Sequence, residues 1–220
     1  MSADSKPPAS GAPILKICGV TRVGDALHAV REGATAIGFV FWKGSPRYID
    51  PYRAGEIAAA LPVTVTTVGV FVNEPAEAIR ETARLAGLQM VQLHGDETPA
   101  YVEQLDRPVM RAVTLDTLVE TTKTWPADTT LLLDSTDSSR RGGGRAAVDW
   151  PRAAVITRGR RVVLAGGLTP DNIEEAIVTV QPMGVDVASG VESAPGVKDL
   201  DKVARFLTNA RRAFARMVNP

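Results

Sequence analysis

The chain has 220 residues, of which 45% are hydrophobic and 23% charged, with 25 basic side chains against 25 acidic ones and a single cysteine. That balance belongs to an ordinary globular domain, and zero net charge speaks against a partner held by bulk electrostatics, so neither nucleic acid nor an anionic membrane is expected. One cysteine excludes an internal disulfide and a cysteine-built zinc ribbon, and no apolar run approaches the roughly 20 residues that span a bilayer.

Met1 to Pro13 is rich in Ser, Ala and Pro and has no apolar centre. It reads as a flexible leader rather than a secretory signal, before one domain over residues 14–220 of a cytoplasmic protein. From Ile14 onward, short apolar runs alternate with stretches of helical periodicity. In chain order the runs are Ile14 to Cys18, Ala36 to Phe41, Thr64 to Phe71, Gln89 to Leu93, Val109 to Val113, Thr130 to Asp134, Arg161 to Ala165 and Gly184 to Ala188. Their starts lie about 24 residues apart on average, the size of a compact strand-plus-helix unit.

The segments between them carry helix-start chemistry. Asp50-Pro51, Thr98-Pro99 and Thr169-Pro170 each put a capping oxygen before a proline at the first helical position, and Asn73-Glu74-Pro75 is expected to do the same. Gly33 and Gly87 stand where helices should end, and Leu61-Pro62 closes another. Ala26, Leu27 and Val30, then Ile79, Ala83 and Leu85, repeat at helical spacing. The last helix is predicted over roughly Lys198 to Met217, with Arg211, Arg212 and Arg216 forming a solvated face near its C-terminus.

Near-continuous apolar strands, each followed by a helix, mean a parallel sheet covered by helices. Eight strands, with no Gly-x-Gly-x-x-Gly after the first, favour a closed (β/α)8 barrel over an open doubly wound sheet. Such barrels carry their sites at the C-terminal strand ends. Those ends collect Cys18, the loop after Phe41, His94, Asp134, Gly166-Gly167 and Ser189-Gly190.

Each candidate has two readings. Cys18 is a small apolar filler or a general base, and the second needs a thiolate or a proton transfer driven by substrate. Asp134, after three leucines, is a structural cap or an acid whose desolvation keeps it protonated. Gly166, Gly167, Ser189 and Gly190 form tight turns or the phosphate cradle that barrels build after strands seven and eight. Arg47 lies on the surface or grips a substrate carboxylate in a bidentate pair. His94 lines the site or shares in proton transfer, and with no second well-placed histidine no metal is expected.

Taken in order, Lys16-Ile17-Cys18-Gly19, Gly38-Phe39-Val40-Phe41, Ser45-Pro46-Arg47-Tyr48, Val91-Gln92-Leu93-His94-Gly95, Leu164-Ala165-Gly166-Gly167-Leu168 and Asp186-Val187-Ala188-Ser189-Gly190-Val191-Glu192 resemble the phosphoribosylanthranilate isomerase family of tryptophan biosynthesis. The resemblance runs from about Ile14 to the C-terminus. It implies an Amadori rearrangement of an aminoaldose phosphate to an aminoketose phosphate, with no cofactor, because the substrate supplies its own electron sink.

The resemblance also assigns roles. It implies Cys18 as general base, Asp134 as general acid, Arg47 on the anthranilate carboxylate, and the backbone of Gly166, Gly167, Ser189 and Gly190 on the phosphate. His94 matches a histidine of the family's active-site region, with no role attached. The partner implied is a phosphorylated small molecule, and monomer and homodimer are both compatible with the sequence. One stretch departs from the family pattern: Gly142-Gly143-Gly144-Arg145 stands where Gly-Gly-Thr-Gly is usual, in the loop after the sixth run.

Two other readings compete. A histidine-pathway aminoaldose isomerase performs similar chemistry with paired aspartates, which a cysteine at position 18 disfavours. A non-catalytic barrel that binds a phosphorylated metabolite would tolerate loss of Cys18.

Overall fold

Each apolar run becomes a strand, usually one residue shorter than the run itself. In the computed structural model, residues 11–134 and 148–218 are described. The leader residues 1–10 and the loop positions 135–147, with Gly144 and Arg145, lie outside them. In order come β1 (Ile14–Ile17), α1 (Val23–Arg31), β2 (Ala36–Val40), α2 (Pro51–Ala59), β3 (Thr66–Phe71) and α3 (Ala76–Leu85). Next are β4 (Met90–Leu93), α4 (Pro99–Val102), β5 (Val109–Val113), α5 (Leu115–Thr124), β6 (Thr130–Leu133) and α6 (Trp150–Ile156). Last come β7 (Val162–Leu164), α7 (Ile173–Val180), β8 (Gly184–Val187), β9 (Glu192–Ala194), β10 (Val197–Lys198) and α8 (Leu200–Val218).

Among the described residues β1 to β8 pair in parallel, each with the next, and β8 closes on β1. The chain is therefore the (β/α)8 barrel that its run spacing implies. Strand residues alternate between two environments. Leu15, Ile17, Leu131, Leu133, Val185 and Val187 pack outward into the large core under the helices. The inward positions build the barrel interior, with Met110, Ala112, Leu132, Val163 and Ala165 as one apolar cluster and Cys18, Val40 and Val70 as another nearer the rim.

The helix ends vary around the expected chemistry. Asp50 caps α2 by accepting from the Tyr52 N–H at 2.9 Å, with Pro51 behind it. Thr98-Pro99 starts only a single turn, α4. Pro75 itself occupies the cap position of α3 and no side chain caps the helix, because Asn73, at φ 54°, is bonded to Asp96 of the loop after β4 instead. Thr169-Pro170 does not open α7 directly. Its Oγ1 accepts from Asp171 N, and the helix begins at Ile173. Gly33 (φ 99°) and Gly87 (φ 60°) turn the chain after α1 and α3 as the sequence leads one to expect.

On α8, Arg212 and Arg216 both reach Glu174 of α7. The basic face is thus partly an ion-pair seam between the two helices, although exposed pairs of this kind add little stability. No helix among the described residues is long and apolar enough to cross a membrane.

Candidate active site

The alternation that builds the barrel also builds its site. Cys18 projects inward just past the end of β1, and its N–H is fixed to the Val187 carbonyl of β8 at 2.8 Å. Two residues back, Lys16 faces the same interior and is fully buried. Its register partner across the β1–β8 seam is Asp186, and the two side chains form an ion pair at 2.9 Å. Burial works against the Lys16 charge, but Asp186 and Cys18 outweigh it and hold the ammonium's pKa above that of ordinary lysine. At Cys18, burial pushes the thiol pKa up, and Lys16 is the largest opposing influence.

Across the interior, β4 and β6 supply a second group. The Gln92 Nε2 lies 3.1 Å from His94 Nδ1, and His94 Nε2 lies 3.5 Å from Asp134 Oδ2. With the Gln92 amide donating, the imidazole carries its proton on Nε2, aimed at the Asp134 carboxyl. Burial drives the His94 pKa below its usual value against the pull of Asp134, so this contact joins a neutral imidazole to a carboxyl group. Gln92 Oε1 and Asp186 Oδ1 are buried acceptors with no partner among the described residues, and both residues line the cavity. Acceptors of this kind suit the hydroxyl donors of a sugar.

Arg47 comes from the loop after β2 and is held by residues that follow β8, the strand on the other side of β1. Its Nε and Nη2 donate to Glu192 Oε1 and Oε2 at 2.8 and 2.7 Å. Lys198 Nζ adds a bond to Glu192 Oε1 at 2.9 Å. Burial disfavours the Glu192 charge, yet Arg47 and Lys198 together hold its pKa below the usual carboxylate range. Glu192 and Lys198 belong to the β9–β10 hairpin, which sits between β8 and α8. A guanidinium held in this fork keeps its orientation before any ligand arrives.

The two glycine loops close the remaining side. Gly166 and Gly167 have φ of 75° and 67°, and Asn172 braces their loop by donating to the Gly167 carbonyl and accepting from Thr169 N–H at 3.0 and 2.8 Å. Among the described residues, the N–H groups of Gly166, Gly167, Ser189 and Gly190 pair with no backbone carbonyl. Gly190 lies so close to this loop that a Cβ would sit 1.8 Å from the Leu168 oxygen. Gly190→Ala is accordingly expected to cost about 1–3 kcal/mol, a melting temperature lower by roughly 2–10 °C. Thermal unfolding checks this, and an unchanged transition would contradict the close approach of the two loops.

These groups surround one open cavity, and Cys18, Arg47, His94, Asp134, Gly166, Gly167, Ser189 and Gly190 all line it. Every residue singled out from the strand ends and their loops therefore faces a common space. Val40, Trp42, Val70 and Leu132 give it an apolar wall. Among the described residues, no group of three or more His, Cys, Asp or Glu side chains is arranged to hold a metal ion.

The family model described as N-(5'-phosphoribosyl)anthranilate isomerase matches residues 15–209. A protein of that name from Trichlorobacter lovleyi is 50% identical over 204 residues, covering 91% of this chain and 98% of its own length. The chain belongs to the phosphoribosylanthranilate isomerase family. It is thereby an isomerase. A phosphoribosylanthranilate isomerase from Thermotoga maritima superposes with a TM-score of 0.84 at 39% identity, covering 90% of this chain and 98% of the other. Another solved member is a complex with reduced 1-(o-carboxyphenylamino)-1-deoxyribulose 5-phosphate, with a TM-score of 0.81, 38% identity and the same coverage.

Around the predicted residues the isomerase fold adds Lys16, Gln92, Asp186, Glu192 and Lys198, none of which was singled out from strand ends. For the first three the signal was present: counting back two residues from Cys18, His94 and Ala188 gives the next inward position on the same strand. For the hairpin it was Pro195-Gly196, a turn dipeptide between β9 and β10, with Gly196 at φ 78°.

Proposed function

We propose that the protein converts N-(5-phosphoribosyl)anthranilate to 1-(2-carboxyphenylamino)-1-deoxyribulose 5-phosphate in tryptophan biosynthesis, with Cys18 as general base and Asp134 as general acid. The observation that carries this reading is the shared cavity, in which a lone thiol and a carboxyl group, from β1 and β6, face one space within a chain of this family.

The chemistry follows from what the two groups can exchange. Asp134 gives a proton to the ribose ring oxygen, the C1′–O bond breaks, and the nitrogen lone pair forms a C1′=N iminium. That cation acidifies C2′–H. Cys18 thiolate removes the proton, and the C–H electrons move into C1′=C2′ while the nitrogen becomes neutral. The enolamine then takes a proton at C1′ from the Cys18 thiol and loses its hydroxyl proton to the Asp134 carboxylate, leaving the C2′ ketone and both groups restored. Each transfer is of the size that positioned acids and bases supply, about 10²–10⁴-fold, and separation of acid and base by environment is the general device.

The anchors lie at the edges. The N–H groups of Gly166, Gly167, Ser189 and Gly190, which pair with no backbone carbonyl among the described residues, suit the phosphate, and the apolar wall with Trp42 suits the anthranilate ring. Arg47, held by Glu192, suits the anthranilate carboxylate. His94, neutral and with Nε2–H toward Asp134, orients that carboxyl. Arg47→Ala should raise KM tenfold or more, since a charged hydrogen bond is worth about 1.5–3 kcal/mol, with a smaller change in kcat. Steady-state kinetics on both constants test it, and an unchanged KM with a collapsed kcat would move Arg47 from binding to chemistry. Formation of the ketose, separated from its aldose isomer by chromatography, tests the reaction itself. A protein that binds the substrate and leaves it unconverted would favour the non-catalytic phosphate-binding barrel.

A further inference from the structure

Cys18 does not stand alone on the barrel wall. Lys16, the preceding inward residue of β1, is fully buried, and it forms an ion pair at 2.9 Å with Asp186, its register partner on β8. Gly38 on the neighbouring β2 explains how both β1 side chains fit. A Cβ there would lie 2.8 Å from Cys18 Sγ and 3.1 Å from Lys16 Cε, so the missing side chain leaves one shared space for the thiol and the lysine stem. An ammonium has three donors, and Asp186 Oδ2 takes one of them.

The other charged and titratable groups around this space have partners of their own, and of them Lys198 also favours the thiolate, though less than Lys16 does. Arg47 and Lys198, from the loop after β2 and from β10, both pair with Glu192 of β9. His94 of the β4 end contacts Gln92 and Asp134 of the β6 end. Lys16 is the cation on the cysteine's own strand and face, and Asp186 fixes it from β8.

We propose that Lys16 is a positioning residue of the reaction: anchored by Asp186, its ammonium stabilises the thiolate form of Cys18. This rests on the reading of Cys18 as general base. Burial alone would leave the thiol a poor base, and Lys16 is the largest influence working the other way, ahead of the opposing effect of Asp186. The pair thus acts on the thiol as an oriented dipole with its positive end dominant.

Because Cys18 is the chain's single cysteine, alkylation by iodoacetamide reads this thiol directly, with intact mass as the signal. The neutral double variant Lys16→Met/Asp186→Asn avoids leaving a lone buried carboxylate. At pH 8 it should alkylate at least about threefold more slowly than wild type, since a one-unit rise in thiol pKa cuts the thiolate tenfold while intrinsic nucleophilicity recovers part of the loss. The acid limb of its kcat/KM profile should move to higher pH. Lys16→Arg, which keeps a cation, should restore much of the alkylation rate. Damage to the fold has the opposite signature, because a loosened barrel exposes the thiol and speeds alkylation. Alkylation by the double variant at or above the wild-type rate overturns the proposal. Slower alkylation with an unmoved kcat/KM profile upholds the effect of Lys16 on the thiol and overturns the general-base reading instead.

Discussion

Cys18→Ala is expected to lower kcat by about 10²–10⁴-fold with KM little changed. The thiol sits on the barrel wall and contributes little area to substrate binding, so its loss falls on the step in which C2′–H leaves rather than on affinity. The fold should tolerate the change, because alanine keeps the inward position and deletes one sulfur from a site only 7% exposed. The pH dependence follows from sign. Only thiolate accepts the proton and burial holds the thiol's pKa above its ordinary value, so wild-type kcat/KM should climb as pH rises toward that value. Residual activity in the alanine variant should lose this climb. Stopped-flow or steady-state rates across pH check both points. Near-normal turnover by Cys18→Ala would remove the base from the mechanism.

Asp134→Asn is expected to produce a loss of the same order, again in kcat. Asparagine has nearly the shape of aspartic acid, and its amide can hydrogen-bond the ring oxygen and His94, but it has no proton to give. The C1′–O bond would then break without neutralisation of the departing alkoxide. Parallel measurement of kcat, KM and thermal stability separates this from a packing effect. An asparagine variant with full kcat, or one whose only defect is in KM, would reassign Asp134 to binding.

Much of this site was legible in the sequence because a barrel's geometry is periodic. Eight apolar, β-branched runs, each followed by a helical stretch, fix the strands, and strand ends then name Cys18, His94 and Asp134 without coordinates. The glycine pairs are legible for a related reason: Gly166 and Gly167 have positive φ and Gly190 touches the Leu168 carbonyl, conditions that few other residues meet. The helix starts were less legible. Thr169-Pro170 carries the right dipeptide, but Asn172 ties the loop back to Gly167 and delays α7 to Ile173.

What stayed hidden depends on pairing between distant segments. Lys16 meets Asp186 only because β1 closes on β8, 170 residues later in the chain. The orientation of Arg47 is likewise set by Glu192, from a hairpin too short to give an alternating pattern. An arginine that the sequence offers as either a surface residue or a carboxylate clamp is a buried one, held at the cavity edge by a carboxylate of its own chain.

Phosphoribosylanthranilate generated in situ from anthranilate, with its fluorescence followed in the presence of the wild-type protein and of Cys18→Ser, tests whether this cavity isomerises it through Cys18. Rapid loss of signal with wild type, recovery of the deoxyribulose product, and a rate at least about 10²-fold lower with Cys18→Ser are the predicted results. Loss no faster than the spontaneous rate with wild type, or equal rates for the two proteins, would contradict that reading.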